Sequence, residues 1–294
     1  MDTTTYHKPV LLTETLQALD IKPRGFYIDA TFGGGGHSSA ILGADKTIKL
    51  AGIDWDKHAI EHAAPLQELY GDRLELIWGS FAHLYKIIKK HKLPKADGIL
   101  ADFGTSQNQI NERDGFSIFA DRPLDMRMSN SHFKTTATEI INYATEQELC
   151  EIFWKYGEER FAKQIVKKIL EERKKKKITT TGQLAQLIKS VVFSKTKVHP
   201  ATRVFQALRI FVNQELENIS AFLPVAFDAL KPGGRLVCIS FHSLEDRIVK
   251  QFIKDMVITG QGLEVSRKVI VATPEEISSN PSCRSAKLRV IEKK

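Results

Sequence analysis

A short apolar run, Tyr27-Ile28-Asp29-Ala30, leads into four consecutive glycines, Gly33 to Gly36, and His37-Ser38 then opens a polar helix start. Inside a helix or strand each glycine would cost about 0.5–1 kcal/mol, so a run of four belongs where backbone turns sharply and lies against a ligand. The next apolar run, Lys49 to Ile53, ends in Asp54. That is the spacing at which a carboxylate in a strand–loop–helix–strand unit receives ribose hydroxyls. The two features together point to an adenosine-type ligand; a glycine-rich loop without a ligand is the alternative. The dinucleotide fingerprint G-x-G-x-x-G/A is missed in both frames, because Ser38 and Ser39 stand at the sixth position. A sulfonium nucleoside such as S-adenosylmethionine carries no phosphates and suits this turn and acid better.

Apolar segments at 26–31, 49–54, 73–78 and 96–102 alternate with helical periodicity at 37–44, 57–70 and 81–91. Such a series predicts a mostly parallel α/β sheet with helices on both faces and ligands at the carboxyl ends of the strands. Gly35, Asp54, Phe81 and Asp102 all fall at or just beyond those ends. After Asp102 the rhythm stops, and 111–198 reads as an inserted, mostly helical and charged domain. Its expected helices are Glu146 to Leu170 and Thr181 to Val192, with the cluster Arg173-Lys174-Lys175-Lys176-Lys177 between them. That cluster is either a solvated helix end or a phosphate-contacting patch. A long helix from Pro200 to Leu230 then leads to a fifth strand, Gly234 to Phe241, with Ser243 to Asp246 able to cap the next helix. Ala286 to Ile291 alternates like a half-buried terminal strand.

The 294 residues carry a net charge of +8, so the summed field favours polyanionic partners, nucleic acid first, with simple solubility as the bland reading. No signal-peptide core or membrane span is present in the sequence, and Cys150, Cys238 and Cys283 form no C-x-x-C pair. A cytoplasmic protein without structural zinc is expected.

Longer motifs narrow the reading. They are His7 to Leu12, Gly35-Gly36-His37-Ser38, Pro123 to Met128, Tyr156 to Arg160, His199 to Ile210, Gly233 to Arg235 and Ile239 to Arg247. In this order they resemble the bacterial ribosomal RNA small subunit methyltransferase H family from residue 7 to about residue 290. The resemblance implies a class I, Rossmann-like methyltransferase sheet formed by 1–110 and 199–294, binding S-adenosylmethionine, and an inserted helical substrate-recognition domain at 111–198. It implies methylation of N4 of a cytidine in the decoding region of 16S rRNA in the small ribosomal subunit, with neither metal nor membrane required and a homodimer left open. Transfer to a nitrogen of another RNA, DNA or protein is the alternative, as is a non-catalytic rRNA-binding assembly factor.

By the same resemblance Gly35, Gly36 and His37 contact the cofactor, Asp54 holds its ribose, Phe81 lies by the adenine, and Asp102 and Gln109 border it. Phe81 could equally be a core aromatic, and His37 an ordinary helix-entry residue. Asp102 is the candidate catalytic residue, accepting an N–H of the cytosine amine, or else a cofactor ligand alone. Arg127, Arg203, Arg209, His242 and Ser243 are candidates for RNA contact, with Arg160 and Arg247 beside them. Arginines in helices also pair with neighbouring acids, and the segment around Ser243 also reads as a helix cap. Three departures from the family pattern stand out. Phe103-Gly104-Thr105-Ser106-Gln107 replaces Leu-Gly-Val-Ser-Ser, Asp114 replaces an arginine, and Ser282-Cys283 stands where the family has Arg-Ala.

Overall fold

Near-continuous burial along the inner strands, with successive side chains sent to opposite faces, explains the central sheet. In β1 (Phe26–Asp29) Tyr27 faces one apolar cluster and Ile28 the other. The alternation recurs with Leu50 and Ala51 in β2 (Lys49–Asp54), Leu100 and Ile99 in β4 (Ala96–Asp102), and Val237 and Leu236 in β5 (Leu230–Ser240). Successive side chains on a strand point to opposite faces, so both faces are core and both need a helical cover. The Tyr27 face is covered by α1 (Leu12–Leu19) and α2 (Gly36–Ala44), which contribute Leu19, Ile41 and Leu42. On the Ile28 face, α5 (Leu84–His91) supplies Ile87, α11 (Glu215–Ala229) supplies Phe222, and α12 (Ser243–Ile258) supplies Ile253.

The computed structural model describes residues 9–104, 114–193 and 198–294. Its sheet runs β3-β2-β1-β4-β5-β8-β6, where β3 is Leu74–Trp78, β6 is Gly262–Glu264 and β8 is Lys287–Lys293; β7 (Ile270–Val271) also pairs with β8. Neighbours from β3 to β5 are parallel, and β8 is antiparallel to all its partners. Register places Ile28 beside Ala51 on one side and Ile99 on the other. The strand order reverses between β1 and β4, which makes their carboxyl ends, Asp29 and Asp102, the switch point where ligands bind in this fold class.

The chain divides into two compact units, Met1–Ser106 with Leu216–Lys294, and Gln107–Glu215. The second unit is helical in its described elements: α6 (Ala137–Tyr143), α7 (Glu146–Gly157), α8 (Ala162–Arg173), α9 (Thr181–Val191) and α10 (Thr202–Asn213). Three of them start on reciprocal capping boxes, Thr136 with Glu139, Thr145 with Glu148 and Thr180 with Gln183. Gly157 lets α7 and α10 approach closely, since a Cβ there would lie 2.6 Å from the Arg203 carbonyl.

Several boundaries differ from the sequence expectation. The helix expected over Pro200 to Leu230 breaks at Gln214, which adopts φ 50°, one residue before the helical unit ends at Glu215. Tertiary bonds decide this break. The amide of Asn213 is committed to Met126 and Met128, and Arg209 grips Glu215. The helix expected over Glu146 to Leu170 breaks at Glu158 (φ 49°), where the Glu159 carboxylate accepts the Phe161 N–H. The 57–70 segment splits into α3 (Lys57–His62) and α4 (Ala64–Tyr70), with Pro65 in the first turn of the latter. β5 begins four residues earlier than expected, at Leu230. The cap of α12 is His242, not Ser243: its side chain accepts the Glu245 N–H while Glu245 accepts the His242 N–H.

Candidate active site

Asp29 ends β1 fully buried and accepts bonds from Ser38 Oγ at 2.7 Å and the Thr31 N–H at 3.2 Å. These bonds fold the glycine turn back onto the start of α2. Gly33 and Gly35 have φ of 53° and 74°. A Cβ at Gly35 would sit 2.6 Å from Leu66 and 2.7 Å from the Phe32 ring, so conformation and space both exclude a side chain. At Gly36 the same position faces the Pro9 ring at 3.1 Å, making room for the segment before α1.

Asp54 closes β2 and accepts the Gly33 N–H on Oδ2 at 2.7 Å and the Asp56 N–H on Oδ1 at 2.8 Å. Burial pushes its carboxyl up to about 6, against the pull of those two backbone donors. Each oxygen retains a lone pair, which suits a pair of ligand hydroxyls. Phe81, just beyond β3, belongs to an aromatic group with centroids 6.1 Å from Trp55, 5.8 Å from Phe103 and 5.4 Å from Phe222.

Asp102 at the end of β4 is tied to the glycine turn through its N–H, which donates to Thr31 Oγ1 at 2.7 Å. Its Oδ1 is buried without a hydrogen-bond partner among the described residues. Burial, then the nearby charges of Asp29 and Glu245, raise its carboxyl well above the usual range. His37 Nδ1 lies 3.9 Å from the other oxygen, Oδ2. The pair is not an ion pair, because burial lowers the imidazole to about 4 and leaves it neutral. His37 Nε2 lies 2.9 Å from the Val10 carbonyl, which can only accept, so the ring proton is on Nε2. The Nδ1 lone pair therefore faces Asp102. With the Asp102 carboxyl ionised, two acceptors meet at the switch point, and such a corner suits the N–H donor of a ligand. The glycine turn and the spare lone pairs of Asp54 fit a nucleoside that needs no phosphate cradle, and the Asp102–His37 corner beside them fits an amine.

Gly35, His37, Asp54, Phe81 and Asp102 thus come together in one unit, while Gln109 lies outside the described residues. Asp29, Thr31, Trp55 and Phe222 belong to the same constellation and escaped sequence reasoning. Asp29 carried a signal, an acid ending a buried strand just before the glycines; Phe222 lies far along the chain and carried none. The arginine candidates are largely engaged inside the helical unit. Arg127 forks onto Asp125 with two bonds of 2.7 Å, Arg209 forks onto Glu215 at 2.9 and 3.0 Å, and Arg203 donates to the Glu158 carbonyl at 3.2 Å. Arg160 and Arg247 are exposed on the helical and sheet units respectively, and His242 and Ser243 stand at the carboxyl end of β5.

The sequence profile of the MraW methylase family matches residues 4–294. The ribosomal RNA small subunit methyltransferase H of Coprothermobacter proteolyticus is 44% identical, over 98% of this chain and 96% of its own. Those of Carboxydothermus hydrogenoformans and Endomicrobium trichonymphae are each 43% identical over 98% of this chain, covering 97% and 99% of theirs. Fold and site are accordingly those of an S-adenosylmethionine-dependent methyltransferase. Within that class, the chain belongs to the MraW methylase family.

Proposed function

We propose that this methyltransferase acts in the cytoplasm on 16S rRNA of the small ribosomal subunit, placing the methyl group on N4 of a cytidine in the decoding region. The observation that carries the reading is the acceptor corner of Asp102 and His37, because an exocyclic amine is an N–H donor and must lose a proton when methylated. The names of the curated relatives support rRNA as the substrate. The net charge of +8 supports a polyanionic one.

S-adenosylmethionine, when bound, supplies a sulfonium methyl that is electrophilic without further activation. The turn from Gly33 to Gly36 would lie against it, Asp54 would accept its ribose hydroxyls, and the Phe81 group would present an apolar wall to its adenine. The acceptor needs more help, because the cytosine amine delocalises its lone pair into the ring. An Asp102 oxygen accepting one amine N–H pulls that lone pair back onto nitrogen and takes up developing positive charge. As the amine took the methyl that the bound sulfonium would release, the proton leaving nitrogen would pass to the Asp102 carboxylate, whose raised basicity suits it to receive one. Thr31 and Asp29 position that carboxylate through the backbone of the glycine turn. A paired cytosine cannot reach a buried acid, so the nucleotide must be single-stranded or turned out of its stack.

The direct test supplies labelled cofactor with small subunits, bare 16S rRNA and DNA in parallel. Label recovered as N4-methylcytidine from the decoding-region fragment is the expected result. Label confined to DNA or protein, or no cofactor binding by calorimetry, would overturn the reading.

A further inference from the structure

The run Arg173 to Lys177 follows α8, and its first residue behaves differently from the rest. Arg173 Nη1 donates to the carbonyls of Ile141 and Ala144, at 2.9 and 2.8 Å, satisfying the C-terminal end of α6. That anchor brings the lysines beside Tyr143. Lys177 Nζ lies 2.6 Å from the Tyr143 hydroxyl and 5.1 Å from the ring centroid, yet Tyr143 stays 66% exposed. Lys174, Lys175, Lys176 and Lys177 are all exposed, and Glu172, which pairs with Lys175, offsets part of their charge.

We propose that Tyr143 and the four lysines form a docking platform for single-stranded RNA, with a base stacked on the tyrosine ring and consecutive phosphates on the lysines. The inference rests on the rRNA reading above and names the surface by which the helical unit holds the strand. A braced, exposed aromatic is a sequence-tolerant stacking site, and an exposed cationic run beside it neutralises backbone charge. An anionic membrane suits the patch less well. Its charge gathers around a single exposed ring: α6, α8 and α9 present no exposed large apolar side chain other than Tyr143, and the exposed Trp154 and Phe161 lie on α7 and the turn after it.

The test uses the full chain and fluorescence anisotropy with a labelled single-stranded fragment of the 16S decoding region, across a salt series. The triple substitution Lys174→Ala, Lys175→Ala, Lys176→Ala is expected to reduce the slope of log K against log salt by about 2, at about 0.7 per lost phosphate contact. Tyr143→Ala is expected to weaken binding about 5- to 150-fold, and Tyr143→Phe to restore it, since stacking needs the ring and not the hydroxyl. Thermal melting and cofactor affinity should not change in any of them. An unchanged slope in the triple variant, or Tyr143→Ala binding as wild type, would overturn the platform even if wild type methylates 16S rRNA normally. Loss in the variants of binding to anionic phosphatidylserine vesicles, with RNA binding intact, would overturn it in favour of a lipid surface. Failure of wild type to methylate any RNA would instead count against the reading beneath.

Discussion

Beside Asp102, three further buried ionisable side chains shape the pH behaviour of the active site. Asp54 and Asp29 are both raised by burial to about 6, and His37 is lowered by burial to about 4. For a raised carboxyl the folded chain binds the extra proton, so its contribution to stability is complete in acid and is lost as pH rises through about 6. The lowered imidazole works the other way: its contribution is present above the ordinary value of 6.5 and is lost as pH falls towards 4. Cofactor affinity should therefore be level above about pH 6 and decline below it, as Asp54 turns from acceptor to hydroxyl; calorimetry across that range checks this. Asp54→Ala should weaken binding at pH 7.5 by about 10- to 150-fold, the worth of a hydrogen bond to a charged group. Asp102→Asn keeps an acceptor oxygen but cannot take up a proton, so kcat should fall about 10²- to 10⁴-fold with cofactor affinity nearly unchanged. Equal losses in kcat and affinity would return Asp102 to a binding role.

Among the elements, the loop Pro123 to Met128 shows what a long sequence motif can be for. Met126 has φ 64°, its N–H donates to the Asp114 carbonyl, and Asn213 at the end of α10 accepts the Met128 N–H while donating to the Met126 carbonyl. Asn213 is fully buried, so Asn213→Ala would strand those groups and should cost about 2–4 kcal/mol in urea unfolding of the chain, with Asn213→Asp no better because it cannot donate. The inner strands were legible in the sequence because each is a short, nearly unbroken apolar run, as burial on both faces requires. Helix breaks at Glu158 and Gln214 were not, since neither position carries the glycine or proline that usually marks a stop. A distant partner, Met126, goes with the break at Gln214, and a local side-chain bond from the Phe161 N–H to Glu159 goes with the one at Glu158. The site divides along the same line: glycines, Asp54 and Asp102 stood at strand ends in plain view, whereas the tautomer of His37 depends on a carbonyl 27 residues away.

On the scale of the whole molecule, each compact unit has its own apolar interior, and the net charge of +8 gives the chain a general attraction to polyanions. RNA affinity should weaken steeply and linearly on a log–log salt plot, while cofactor affinity should barely respond, because counterions are released only by phosphate contacts. Sheet order carries a last implication. β8, the strand latest in the chain, lies inside the sheet, with β5 on one side and β6 and β7 on the other, and its Leu288, Val290 and Ile291 are fully buried. A nascent chain lacking those residues leaves the edge of β5 bare. The sheet unit therefore cannot close its two apolar faces until residues 287–293 have been made, whereas the helical unit needs nothing from that strand.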